Sequence, residues 1–175
     1  PMTMASLRLA GLLLLSALLT ACVRIPAGIE PVTDFAAERY LGTWHEIARL
    51  DHRFERGLEA VTATYTRRAD GAIGVLNRGR DAESGEWRQV EGRARFVEDA
   101  DTGYLKVSFF GPFYGAYVVF ELDEDYRHAL VSGPNRSFLW LLAREPDPDE
   151  AVVDALVARA AAAGFETEAL IFVRQ

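Results

Sequence analysis

The sequence predicts an all-β fold: an eight-stranded antiparallel up-and-down β-barrel with one C-terminal α-helix packed outside and a short ninth strand. Three observations predict it. Short runs alternate apolar and polar residues with period two, as strands with one dry and one wet face do. Turn-forming clusters separate them: "RADGAIG", "DAESGEW", "DADTG", "GPFYG" and "SGPNR". Near the C-terminus the apolar period lengthens to that of a helix.

The chain opens with Arg8 and an apolar run, Leu9 to Leu19, too short for the roughly 20 residues a bilayer-spanning helix needs but suited to a secretory signal. It ends in "LTAC", Leu19 to Cys22, which resembles the bacterial lipobox whose cysteine is lipidated. Residues 1–21 are expected to be a lipoprotein signal peptide, 22–33 the lipidated cysteine and a spacer, and 34–175 one barrel domain. Val23 rather than aspartate after the cysteine favours the outer membrane, by resemblance to the enterobacterial sorting rule. Cys22 is the single cysteine, so no internal disulfide holds the domain, and about 150 residues suffice for a core without one. One of 19 basic and none of 26 acidic residues precede Cys22, leaving 18 against 26, or about −8. That balance argues against a nucleic-acid partner and against a polybasic membrane patch.

The strands follow in order. Trp44 to Leu50 is the first, with Trp44, Glu46 and Ala48 on one face. "AVTATYT" sets Val61, Ala63 and Tyr65 against threonines, and Ile73 to Arg80 is the third strand. "QVEGRARF" is the clearest run, with Val90, Gly92, Ala94 and Phe96 opposite Gln89, Glu91, Arg93 and Arg95. "YLKVSFF", Tyr114 to Leu122, His128 to Ser132 and Phe138 to Arg144 complete the eight. A sandwich is the alternative that strand count alone leaves open. "PDPDEAVVDALVARAAAAGF" then carries a helix from about Pro148 to Ala163, with Asp147 placed to cap it. Its stripe of Val152, Val153, Leu156, Val157 and Ala160 needs a surface to cover, and "EALIFV" suits a last short strand.

Alternation nominates residues lining an interior cup: Ala63, Val75, Asn77, Val90, Ala94, Val107, Phe109, Phe138, Trp140 and Leu142. The same residues would also serve as a filled core. The pair His45–Glu46 looks like the start of a zinc-protease helix, but the ligand position four residues on is Arg49, so no metal and no cofactor is expected. The "DHRFERGLEA" loop is placed over the open end, with Arg53 and Arg56 as candidates for an anionic head group.

"GTW" (Gly42 to Trp44), "EDY" (Glu124 to Tyr126, hence Asp125 and Tyr126) and Arg144 resemble three motifs of the lipocalin family at the matching strand ends. "YLGTWHEIARLDHRFERGL", "KVSFFGPFYG" and "YRHALVSGPNRSFLWLLAR" extend the resemblance to the bacterial outer-membrane lipocalins, relatives of apolipoprotein D. The departures are "TWHE" for the usual "TWYE" and "EDY" for T-D-Y. The resemblance implies that Trp44 plugs the barrel floor beneath Arg144. It also implies that Tyr117 and Val119 face inward, Val118 and Phe120 lie outside beneath the helix, and Asn77 and Trp140 line the cup. Alternation leaves Glu46 inward, to be paired with a tyrosine or with Arg144. The implied function is a membrane-tethered carrier, anchored at the outer membrane through Cys22, that holds a fatty acid or lysophospholipid for storage, transport or clearance. Alternatives are an enzyme acting on lipid esters, for which no catalytic residues can be named, and a structural envelope protein with a filled barrel. A homodimer is compatible with the apolar "FFGPFYG" turn.

Overall fold

The computed structural model describes residues 23–175. The signal segment and Cys22 lie outside the described residues. A one-turn helix α1 (Ala37–Tyr40) precedes eight strands: β1 (Gly42–Arg49), β2 (Leu58–Arg67), β3 (Ile73–Asp81), β4 (Trp87–Phe96), β5 (Tyr104–Phe110), β6 (Phe113–Leu122), β7 (His128–Ser132) and β8 (Leu139–Ala143). Helix α2 (Glu150–Ala162), a 3₁₀ turn (Thr167–Ala169) and β9 (Ile171–Phe172) follow. Each strand pairs antiparallel with the next, and β1 pairs with both β8 and β2, so the sheet closes on itself. Closure removes the two edges that an open sheet leaves exposed.

The wall separates two apolar layers. Inside lie Phe35, Tyr40, Trp44, Tyr65, Val119 and Val131, among others. Outside, Ile47, Val118, Leu130, Leu139 and Leu141 meet Val153, Leu156, Val157 and Ala160 of α2. Phe120 stacks on Phe165 at 5.5 Å between ring centroids. Strands β7 and β8 are dry on both faces, which is why their sequences are nearly continuous apolar runs.

Three local expectations are corrected. The cap of α2 is Asp149, whose carboxylate accepts the Ala151 N–H at 2.8 Å, so the helix begins after Asp149 rather than beside Asp147. Ala48 does not share a face with Trp44 and Glu46. The β1–β8 register shifts between Glu46 and Ala48, which turns Ala48 toward α2 and brings Arg49 inside. Asp125 is exposed, and its neighbour Asp123 holds the β6–β7 turn by accepting the N–H groups of Asp125, Arg127 and His128.

A second register shift, between Glu59 and Thr62, accompanies a left-handed backbone at Ala60 (φ 48°). Beyond it β1 and β2 part, and the C-terminal segment fills the seam. Ile171 and Phe172 pair with Arg49 and Ala48, Val173 N–H donates to Ile47 O, and Ala60 N–H donates to Arg174 O. Arg174 and Arg80 both pair with Glu59. Residues 23–33 also lie on the barrel: Ile29 is buried in the outer layer, and Arg136 donates to both Ala27 O and Ala163 O.

Candidate functional site

The closed end is built on Trp44, fully buried, whose Nε1 donates to Tyr40 O at 2.8 Å. The Arg144 guanidinium lies 4.0 Å from its ring centroid and donates to the carbonyls of Tyr126, Thr43 and Arg39. A fork of fixed donors suits such a three-way closure, and the stack adds roughly 1 kcal/mol. Gly42 makes room: its φ is 97°, and a Cβ there would meet Arg144 Nη1 at 3.2 Å. Tyr126 (φ 58°) accepts the Ala36 N–H on its hydroxyl and lies under Arg39, which ties α1 across the floor.

Above the floor a tyrosine triad spans the lumen. Tyr117 Oη lies 2.7 Å from both Tyr40 Oη and Tyr65 Oη, joining β6 to α1 and β2. Burial pushes all three phenols above their ordinary range, so they act as neutral hydrogen-bonding groups.

Nearer the open end lies a belt of buried charge. Arg49 Nη1 donates to Glu46 Oε1 at 2.8 Å, and its Nη2 donates to Glu55 O at 2.7 Å and to Leu58 O. Glu46 is thus paired with Arg49, not with a tyrosine or Arg144. The loop between β1 and β2 folds over the mouth, and Glu55 Oε2 accepts Trp140 Nε1 at 3.1 Å. His52 Nε2 sits 2.8 Å from the same oxygen. Burial and the neighbouring Glu55 charge raise the Glu46 pKa well above the carboxylate range, against the pull of Arg49. Burial pushes Glu55 up too, but His52 and Trp140 outweigh it and hold Glu55 low.

The nominated lining residues fall in register rows. Ala63 lies opposite Trp44 and Asn77, Asn77 opposite Val90, and Val75 opposite Tyr65 and Gly92. Val107 lies opposite Ala94, Tyr117 opposite Leu105, and Val131 between Val119 and Trp140. Val75, Val119 and Leu142 belong to the inner layer, with Ala63, Val107, Phe109, Tyr117 and Trp140 packed on it. Phe138 stands at the mouth, its ring 5.7 Å from His52 and 6.0 Å from Trp140. Val90 sits on an edge of β4 and is 36% exposed, so it borders the cup instead of walling it. Arg56 pairs with exposed Asp51, and Arg53 lies over Phe54.

Among the described residues, the buried side-chain polar atoms without a hydrogen-bond partner are Arg49 Nε, His52 Nδ1 and Nε2, and Asn77 Oδ1. Alternation missed Arg49, His52 and Glu55. The usable signal was Glu46 itself, since an inward carboxylate requires a buried cation. Cavities of about 270 Å³ and 330 Å³ open beside Asp34, Arg39 and Glu124 at the closed end and on the β4–β5 flank. The tyrosine triad crosses the interior from β6 to β2, whereas the Arg49–Glu55–Trp140 contacts tie the loop to the neighbouring strands β1 and β8.

A closed eight-stranded barrel, floored by a tryptophan under an arginine and flanked by one external helix, defines the lipocalin class of small-ligand barrels. The chain belongs to that family: the model of the lipocalin-like domain matches residues 35–175. It is 54% identical over 165 residues to the outer membrane lipoprotein Blc of Vibrio cholerae, covering 94% of this chain and 96% of that protein. It is 53% identical over 150 residues to the Blc lipoprotein of Escherichia coli K12, covering 86% and 85%. Among solved structures, insecticyanin of Manduca sexta superposes with a TM-score of 0.70 at 20% identity, covering 87% of each chain.

Proposed function

We propose that the chain is an outer-membrane, lipid-anchored carrier that shelters a single-chain amphipathic lipid, a fatty acid or lysophospholipid, for storage, transport or clearance. The apolar tail lies against the inner wall and the polar head at the belt of Glu46, Arg49, His52 and Glu55. The observation that carries this reading is that Arg49 Nε, His52 Nδ1 and Asn77 Oδ1 are buried without hydrogen-bond partners among the described residues, in a barrel that also carries an inner apolar layer. Buried polar groups in native proteins have partners, and a ligand head group supplies donors and acceptors there. Arg49 and His52 offer N–H groups, and Asn77 offers a carbonyl oxygen. The names of the two Blc relatives and the lipobox ending in Cys22 support the membrane tether.

Burying about ten methylenes contributes roughly 8 kcal/mol, enough for micromolar affinity.

The test is titration of delipidated protein with lysophospholipid. Saturation near one to one, with Trp140→Ala weakening binding at least several-fold, supports the carrier. A Trp140→Ala curve identical to the parent's places the ligand elsewhere.

A further inference from the structure

Strand β4 pairs with β3 from Trp87 opposite Arg80 to Ala94 opposite Ile73. With β5 it pairs only from Arg93 opposite Ser108 to Phe96 opposite Leu105. The stretch from Trp87 to Gly92 therefore presents a free edge in a barrel closed elsewhere. The β5–β6 register also breaks between Val107 and Phe110. The cavity of about 330 Å³ lies at this parting, lined by Glu91, Gly92, Arg93, Phe109, Gly111 and Tyr114 among others.

Among the residues lining that cavity, Phe109 alone also packs on the inner apolar layer. A Cβ built on Gly92 would lie 2.6 Å from Phe109 Cδ1 and 2.9 Å from Ser108 O, so the Phe109 ring occupies the space over Gly92. The same ring packs on the inner apolar layer. The surface around the parting carries exposed apolar side chains and several cations, with Glu91 as the carboxylate on the cavity's rim. Trp87, Val90, Phe110 and Phe113 are 51%, 36%, 69% and 69% exposed. Arg78 lies over the Trp87 ring and Lys106 over Tyr114. Arg78, Arg93 and Lys106 form no ion pair among the described residues, on a chain of net charge −7. Exposed aromatics beside unpaired cations suit the interface of an anionic phospholipid bilayer. At the same end of the barrel, the β1–β2 loop over the mouth is latched by Arg49, Glu55 and Trp140.

We propose that the parting of β4 and β5 is a lateral mouth that docks on an anionic bilayer surface, with Phe109 as the gate through which an acyl chain enters. This rests on the lipid-carrier reading above. It differs in placing entry in the barrel wall, with the β1–β2 loop staying shut.

Two measurements test it, both on the full chain carrying Cys22→Ser so that no acyl anchor contributes. The first mixes protein with phosphatidylethanolamine–phosphatidylglycerol vesicles bearing brominated acyl chains. Tryptophan emission is expected to be quenched, the quenching to weaken with added salt, and Trp87→Phe to abolish it. The second follows stopped-flow uptake of cis-parinaric acid. Gly92→Ala, which unseats the ring, and Phe109→Ala, which removes it, are each expected to speed uptake several-fold, while Phe54→Ala in the loop leaves the rate unchanged. If Gly92→Ala fails to fold, Phe109→Ala alone decides. Unchanged rates in the gate variants with faster uptake in Phe54→Ala would overturn the lateral mouth while sparing the carrier. Absence of parinaric acid binding by the parent would overturn the carrier reading instead. Quenching that survives Trp87→Phe would overturn the docking face.

Discussion

Arg49→Met is expected to destabilise the barrel in a pH-dependent way. Arg49 is 2% exposed and bonds Glu46 Oε1 at 2.8 Å, Glu55 O at 2.7 Å and Leu58 O at 3.4 Å. Its removal strands a carboxylate that is itself 4% exposed and frees two loop carbonyls. Breaking a buried pair from one side costs about 3–5 kcal/mol, a large share of the roughly 5–15 kcal/mol that holds a domain folded. The pH dependence follows from Glu46. Its pKa is raised in the fold by burial and by Glu55, so the fold holds that proton more tightly than the unfolded chain does. The contribution is therefore full below the unfolded carboxylate value of about 4.3 and is lost as pH rises through the raised value. Without Arg49 the raised value climbs further, so the penalty is expected to be larger at pH 8 than at pH 5. Urea unfolding at both pH values measures it. Glu46→Gln in the same chain is expected to recover at least about half of the loss, since a neutral amide needs no cation. A penalty that is equal at both pH values, or below about 1 kcal/mol, would refute the buried-pair account.

Three further outcomes follow from the fold. Tyr117→Phe removes the hydroxyl shared by Tyr40 and Tyr65, with an expected loss of about 1–3 kcal/mol read from thermal melts. Asp123→Ala strips the acceptor from three turn N–H groups and is expected to cost about 1–2 kcal/mol, while Asp125→Ala stays within about 0.5 kcal/mol in the same denaturation assay. Deleting residues 171–175 frees the Ala60 N–H from Arg174 O, and hydrogen exchange at Ala60 is expected to rise to the rate of an open amide.

The fold was legible wherever one face of a strand is dry and the other wet. "QVEGRARF" shows this most clearly, since Ala94 is buried while Arg93 is exposed. Strands β7 and β8, dry on both sides, were legible as apolar runs between turn signals. The closed end was legible because Gly42, Trp44 and Arg144 meet there as the family pattern implies. The open end was not, because two bulges intervene. The shift after Glu46 reverses the facing of Ala48 and Arg49, and the shift after Glu59 hides the true start of β2 at Leu58. A bulge adds one residue and has no compositional mark, so strict alternation placed Arg49 outside. The loop residues His52 and Glu55 have no period at all. Asp125 was selected by position in a motif, whereas the backbone geometry of the turn selects Asp123.

The wedge formed by Ile171 to Arg174 has a consequence for how the cylinder is sealed. Above their shared register, β1 and β2 are joined through a segment that follows all eight barrel strands in sequence. The seam therefore couples the two ends of the barrel sequence, and loosening this clasp opens the wall without touching the inner apolar layer.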